Sequence, residues 1–328
     1  MTTALRTLLY TDSMAEAVHY DIEHLSRYHY SRSPKQCVMM LCLKPQNDRG
    51  QRVLNFEIET DPAALLTSEQ DCFGNTRHVF NLNGEHGVLE IIARSKVSPA
   101  PFSPLPHSLG AGAWNEIRSW NDSFALWDFV HPSALTRPSS LLGEFVDRHG
   151  IRPGKDPLKG LLRLSDTLHR CFRYVPGSTS VLSSIEQILT SGSGVCQDYA
   201  HTMIAIARSW GIPARYVSGY LRLSGLEGEQ APENATHAWV ECLLPELGWV
   251  GFDPTNRCLV DERHVRIAVG RDFRDVSPTR GVLQGGESTG IEVSVRVSAP
   301  AKPQGFGEEA FADNTGIPPR NTGVLSRK

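Results

Sequence analysis

The chain has 328 residues, of which 33 are basic and 36 acidic, for a formal net charge of −3; 40% are hydrophobic and 21% charged. This near-neutral balance argues against a nucleic-acid partner or a polybasic membrane patch, and no apolar run approaches the roughly 20 residues that cross a bilayer. At roughly 150 residues per domain, the length accommodates two domains. The first twenty residues include Asp12, Glu16 and His19 where a secretory signal has a basic start and an apolar stretch, so a cytoplasmic location is expected. The cysteines (Cys37, Cys42, Cys72, Cys171, Cys196, Cys242 and Cys258) are odd in number and scattered, unlike a disulfide framework. Without a Cys-x-x-Cys pair or a His-Glu-x-x-His run, the expectation is no metal and no cofactor.

In chain order, residues 1–17 read as a leader and 18–98 as an N-terminal β-domain. Its strand-like segments are His19–Tyr30, Gln36–Leu43, Arg52–Thr60, Asn75–Phe80 and Gly87–Ser95, parted by turns such as Ser33-Pro34 and Asn83-Gly84. Short strands at such spacing predict an all-β sandwich. His19, His24 and His29 step by five, which alternates faces of a strand, so they read as solvated or hydrogen-bonded histidines and not as a ligand set. Residues 99–111, with prolines at 99, 101, 104 and 106, read as a linker.

The remainder, 112–298, reads as a mixed domain, followed by a disordered tail at 299–328. The aromatic run Trp114, Trp120, Phe124, Trp127 and Phe129 reads as packing. Amphipathic helices are predicted at Ser140–His149 and Pro157–Arg173, with a short one at Ser184–Leu189. A strand at Arg215–Leu223 and a polar loop at Ser224–Asn234 precede a hairpin of Thr236–Leu244 and Gly248–Asp253, and Ile291–Val297 alternates as a last strand.

The chemistry converges on Ser191–Pro213. A Gly/Ser loop with Ser193 as N-cap leads into an apolar-periodic run ended by Gly211 and Pro213, which places Cys196 in the first turn of a helix. There the sulfur faces unpaired N–H groups and the positive end of the helix dipole, which favour a nucleophilic thiolate. Cys196, Tyr199, Met203, Ala207 and Trp210 share one face, the predicted buried one. His237 opens the first hairpin strand and Asp253 closes the second, so both lie at its open end. Counted across a four-residue connection, Asp253 falls opposite Val240, and a bulge or another register is needed to bring it to His237. A thiol, an imidazole and a carboxylate brought together suit acyl transfer: the imidazole takes the thiol proton, the carboxylate orients the imidazole, and the thiolate attacks a carbonyl. The Cys196 N–H is one oxyanion donor, and Tyr174 and Gln197 are the candidates for a second. Trp239 reads as a cleft wall, Asp198 as a cap, Arg215 and Tyr216 as braces, and Asp272 and Asp275 as cleft-border or turn residues.

Four stretches carry a family resemblance: Gly194-Val-Cys196-Gln-Asp-Tyr-Ala, Gly211-Ile-Pro-Ala-Arg-Tyr-Val-Ser-Gly-Tyr220, His237-Ala-Trp-Val-Glu241 and Gly248-Trp-Val-Gly-Phe-Asp253-Pro-Thr-Asn256. In this order they resemble the bacterial transglutaminase-like family. Tyr174–Thr179, Gly270–Asp275 and the β-rich N-terminal segment resemble the regions that flank its core. The resemblance implies an α+β fold: a papain-like core, with the Cys-bearing helix packed on an antiparallel sheet, preceded by a sandwich-like β-domain. It also implies a Cys196-His237-Asp253 triad acting on peptide or protein substrates, protease-like in bacterial members. The alternatives are transamidation of glutamine by an amine, or a non-catalytic peptide-binding module. No Asp-x-Asp-x-Asp-Gly run is present, and metal-independent activity is expected.

Overall fold

The computed structural model describes residues 18–110, 112–223 and 236–299. The expected leader, the loop Ser224–Asn234 and the tail beyond residue 299 lie outside the described residues. The first strands are β1 (Tyr20–Arg32), β2 (Gln36–Leu41), β3 (Arg52–Asp61), β4 (Thr67–Gln70), β5 (Thr76–Asn83) and β6 (Val88–Ser98). Period-two alternation turns one side of each strand inward. Leu89, Ile91 and Ala93 of β6 pack on Tyr30, Cys37, Met39, Leu41, Phe80 and Leu82, a core held between two sheets. Strand β4 is short, polar and exposed, so no hydrophobic pattern announces it.

Helices follow: α1 (Ala113–Ser119), α2 (Trp127–Val130), α3 (Ser140–Arg148) and α4 (Pro157–Cys171), with Pro157 in the first turn of α4 and the Asp156 carboxylate capping Lys159 N–H. Then come β7 (Arg173–Tyr174), α5 (Ile185–Ser191), β8 (Ser193–Gly194), α6 (Cys196–Ser209), β9 (Ala214–Leu221), β10 (His237–Leu244), β11 (Gly248–Asp253), β12 (Cys258–Leu259), β13 (His264–Gly270), α7 (Phe273–Val276), β14 (Thr279–Gln284) and β15 (Glu287–Ser298). Antiparallel pairing orders the central sheet β12-β11-β10-β9-β13. Ala238, Val240, Cys242 and Leu244 of β10 join Met203, Ile204 and Ala207 of α6 in the main core. Strand β13 is buried throughout although it carries His264 and Arg266; with polar residues turned inward it lacks the pattern of a half-exposed strand, and the sequence reading contains no strand there.

The last two strands correct the sequence assignment of 279–298 to the catalytic domain. Strand β15 pairs with β1, Val295 opposite His24, and β14 pairs with β2, Val282 opposite Val38. The two four-stranded sheets run β15-β1-β6-β3 and β14-β2-β5-β4. Without the C-terminal strands, β1 and β2 would be open edges with unpaired backbone groups. His24 belongs to the same seam: it is buried, with Nδ1 3.0 Å from the Tyr220 hydroxyl and Nε2 3.1 Å from Ser26 Oγ, and burial lowers its pKa to about 4.

A buried carboxylate joins the β-domain to the central sheet. Glu241 accepts from Arg215 Nη2 at 2.6 Å, Arg49 Nη1 at 2.9 Å and Arg266 Nη1 at 3.0 Å. Burial alone would raise its pKa; the three guanidiniums, Arg215 foremost, outweigh that and lower it. Removing one partner of a buried ion network leaves charges uncompensated. Glu241→Ala, which strands Arg215 and Arg266, is expected to lower unfolding free energy by about 3–5 kcal/mol in a denaturant titration. A chain ending at Pro278 is expected to lose its cooperative thermal transition and to self-associate through β1 and β2, as read by light scattering. A monomer melting like the full chain would contradict this.

Candidate active site

Cys196 is placed by the segment before it. Parallel pairing of β7 with β8 sets Tyr174 level with Gly194, two residues before the cysteine. Gly194 must be glycine: a Cβ there would stand 2.6 Å from Ile188 Cδ1 and 2.9 Å from Asp198 Oδ2. Ser193, the predicted N-cap, is instead part of β8, and Val195 takes the N-cap position. The capping group is Asp198: its Oδ2 accepts from Val195 N–H at 2.8 Å and from Thr179 Oγ1 at 2.6 Å. Helix α6 is buried on every side from Cys196 to Arg208, not on one face. At its far end the Arg208 guanidinium donates to the carbonyls of Phe129, His131, Ala214 and Arg271, and Gly211, at φ +78°, turns the chain out of the helix.

The hairpin register resolves the offset left by the sequence. Leu244 pairs with Gly248 and Val240 with Phe252, so the connection has three residues, not four. Glu246 and Gly248 turn it at φ +63° and +69°. Asp253 then falls level with Trp239, on the same face as His237, without a bulge. His237 Nε2 lies 2.8 Å from Asp253 Oδ2, and the two side chains are 1% and 0% exposed. Nδ1 has no hydrogen-bond partner among the described residues, and Cys196 is among the groups that favour the charged form of this imidazole. With Nε2 engaged by Asp253, Nδ1 is the nitrogen left for the sulfur. Burial alone would lower the His237 pKa; the Asp253 charge and hydrogen bond, with the Cys196 contact, raise it to about 9. Asp253 is held well below the usual carboxylate range, because its donors outweigh burial. The donors that lower it are His237 and, after it, His264; the carboxylate also accepts from Asn256 Nδ2 at 2.7 Å, Thr255 N at 3.0 Å and Asn256 N at 3.2 Å.

The other candidates separate. The Tyr174 hydroxyl is buried and without a partner among the described residues; burial first and the nearby Cys196 second raise its pKa. Gln197 instead commits its amide to the Ser180 carbonyl at 2.6 Å. Trp239 is 1% exposed, packed with Val217 and Val269 over Gly219, and so is not a cleft wall. Arg215 and Tyr216 lie on β9, where Arg215 donates to Glu241 and stacks 4.2 Å over the Trp249 ring. Asp272 caps α7 and accepts from Leu135 N–H, while Asp275 binds Arg271. Two partners escaped the sequence reading. Thr179 reaches Asp198 across 19 residues, and His264 Nε2 stands 3.4 Å from Asp253 Oδ2, beside the His237 contact. His264 enters on β13 after a loop, and no local spacing points to it. His237, Asp253 and His264 are the described residues whose donor atoms, within 4.8 Å of one another, come nearest to a metal-binding set, but these atoms already meet in hydrogen bonds. A helix-terminal thiol near an imidazole that is bonded to a carboxylate is an arrangement able to carry out covalent acyl transfer. Asp198→Ala is expected to lower stability by about 1–2 kcal/mol and to slow alkylation of Cys196, since it frees both Val195 N–H and Thr179.

Residues 146–254 match the transglutaminase-like superfamily and residues 20–98 the bacterial transglutaminase-like N-terminal region. An uncharacterized protein of Mycobacterium tuberculosis is 32% identical over 301 residues, which cover 85% of this chain and 92% of that one. A protein-glutamine gamma-glutamyltransferase of Pseudomonas aeruginosa is 36% identical over 97 residues, 26% of this chain and 14% of that protein. A solved structure of a candidate cysteine protease from Cytophaga hutchinsonii superposes with a TM-score of 0.66 at 20% identity, over 86% of this chain and 91% of the other, so the fold is shared. With a β-domain leading into a papain-like α+β core, the chain belongs to the transglutaminase-like superfamily.

Proposed function

We propose that this protein is an enzyme that hydrolyses peptide or amide bonds through an acyl-enzyme on Cys196, with His237 as base and Asp253 as the carboxylate that orients it. The observation that carries this reading is the buried Asp253–His237 bond at 2.8 Å on Nε2, which leaves Nδ1 for a sulfur at the start of α6. His237 takes the thiol proton, and the resulting imidazolium is stabilised by Asp253 and persists until pH rises through about 9. The thiolate attacks the carbonyl carbon, and the oxyanion is met by the Cys196 N–H and the unpartnered Tyr174 hydroxyl. His237 returns the proton to the departing amine; water, activated by the same imidazole, then releases the acid and restores the thiol. Water is the acceptor present at highest concentration, which favours hydrolysis. The similarity to a protein named for glutamyl transfer favours transamidation as the second reading, in which an amine takes the acyl group.

The test is iodoacetamide labelling of wild type, Cys196→Ala and His237→Ala across pH 5 to 9, read residue by residue by mass spectrometry. Cys196 is expected to label faster than Cys171, Cys242 and Cys258 at pH 6, and His237→Ala to slow it by about a hundredfold. Equal labelling of Cys196 and Cys171 in the wild type would sink the enzyme reading. Glutamine peptides incubated with and without a labelled primary amine then separate the acceptors: released acid supports hydrolysis, amine incorporation transamidation.

A further inference from the structure

His264 is a buried histidine at the site for which the catalytic trio has no use. Its Nε2 shares Asp253 Oδ2 with His237, at 3.4 Å against 2.8 Å. Its Nδ1 lies 3.1 Å from Asp261 Oδ1 and 3.2 Å from the Asp261 N–H. A neutral imidazole carries one N–H, whereas an imidazolium donates from both nitrogens. A ring between two carboxylates is therefore arranged to hold two protons, accepting the amide contact only if it loses one.

We propose that His264, held by Asp261, is a positioning residue for the His237–Cys196 pair: as a cation on the shared Asp253 oxygen, it fixes that carboxylate and draws off part of its charge. This rests on the catalytic reading of Cys196, His237 and Asp253. The groups facing His264 come from every neighbouring element. Asp253 belongs to β11, Asp261 to the loop before β13, and Cys258, which also favours the charged form of the ring, to β12. From β10, Trp239 lies edge-on at 5.2 Å and His237 at 6.3 Å between ring centroids. Glu241 and Arg266 line with it a cavity of about 60 Å³. Arg263 binds Asp261 at 2.8 Å and so steadies the outer carboxylate. Burial disfavours charge on His264, and the bonds to Asp253 and Asp261 outweigh it, raising its pKa well above the ordinary value.

His264 competes with His237 for the charge on Asp253 and adds a positive charge nearby, so both actions weaken the hold on the His237 proton. In His264→Gln a neutral donor replaces the cation, the full carboxylate charge falls to His237, and its titration midpoint rises. Asp261→Asn loosens the proton on His264 and shifts His237 the same way. A cation about 6 Å away, screened as partly buried charges are, moves a midpoint by about one pH unit, tenfold in the imidazolium population at a given alkaline pH.

The experiment is ¹⁵N-histidine NMR of the full chain from pH 5 to 10.5 in wild type, His264→Gln and Asp261→Asn. His237 is assigned by its loss in His237→Ala, and Cys196 alkylation is measured at pH 6 on the same samples. The expected result is a doubly protonated His264 at neutral pH in the wild type and a His237 midpoint about one unit higher in both variants. A purely structural role would lower thermal stability without moving that midpoint. A neutral His264 ring at pH 7, or an unmoved His237, overturns the proposal. Should His264→Gln not fold, the wild-type spectrum and Asp261→Asn decide it. Slow wild-type alkylation of Cys196 defeats the catalytic reading instead; fast alkylation with an unmoved midpoint defeats only the role of His264.

Discussion

An ionised carboxylate with no solvent exposure is the constraint on which this structure turns. Removing a carboxylate from water costs several kcal/mol unless hydrogen bonds replace the lost hydration. Asp253 recovers that cost through the His237 ring, two backbone amides and the Asn256 side chain, which together occupy both of its oxygens. The amides come from Thr255 and Asn256, the residues directly after Asp253-Pro254, so the turn leaving β11 is also the solvent shell of the carboxylate. A carboxylate this firmly held has one orientation to offer the imidazole. That rigidity keeps Nε2 occupied and leaves Nδ1 to the sulfur.

The same physics recurs at the joints of the fold, where buried charges fix the ends of a helix and the contact between sheets. Asp198 ties the start of α6 to Val195 and Thr179, and Arg208 ties its end to the carbonyls of four residues from α2 to β13 and beyond. Burial lowers the Arg208 pKa to about 10, and the group remains a cation at neutral pH. Anchored at both termini and buried throughout, α6 is a fixed platform for Cys196. Glu241 does for the two sheet systems what Asp198 does for the helix: its one carboxylate gathers Arg49 from the β-domain with Arg215 and Arg266 from the central sheet. It sits on the alternation that turns Trp239 away from α6, so the bond between the domains and the packing behind the site share one strand face.

What the sequence made legible was local. The limits of α6 are announced by Gly211 and Pro213 downstream, and the hairpin that carries His237 and Asp253 by alternation and a turn signal. Where a reading depended on partners distant in the chain, it failed for physical reasons. Ser193 is a good N-cap type, yet pairing with β7 draws it into a ladder and leaves capping to Asp198. Trp239 looked like a wall because large aromatics often line clefts, but the absence of a side chain at Gly219 opens a buried slot for it. Period two identifies β15 as a strand without naming its partner, and the edge that needed covering was β1, more than 250 residues earlier. His264 meets Asp253 only because the chain crosses from β12 to β13, which no spacing within the motif encodes.

The hairpin connection shows how little separates this site from none. Side chains alternate across a strand, so a four-residue connection that paired Leu244 with Trp249 would set Asp253 opposite Val240 and turn its carboxylate toward the core under α6. There Ala238, Val240 and Cys242 offer no donor to an ionised group, and the desolvation cost would stand unrelieved. Glu246 and Gly248 hold the shorter turn in the left-handed region, a conformation that glycine adopts freely and glutamate at a cost. A little strain at the exposed end of the hairpin thus fixes the register at its buried end, some 17 Å away at roughly 3.3 Å per residue. The geometry of the His237–Asp253 pair is set in that turn as much as in the two residues themselves.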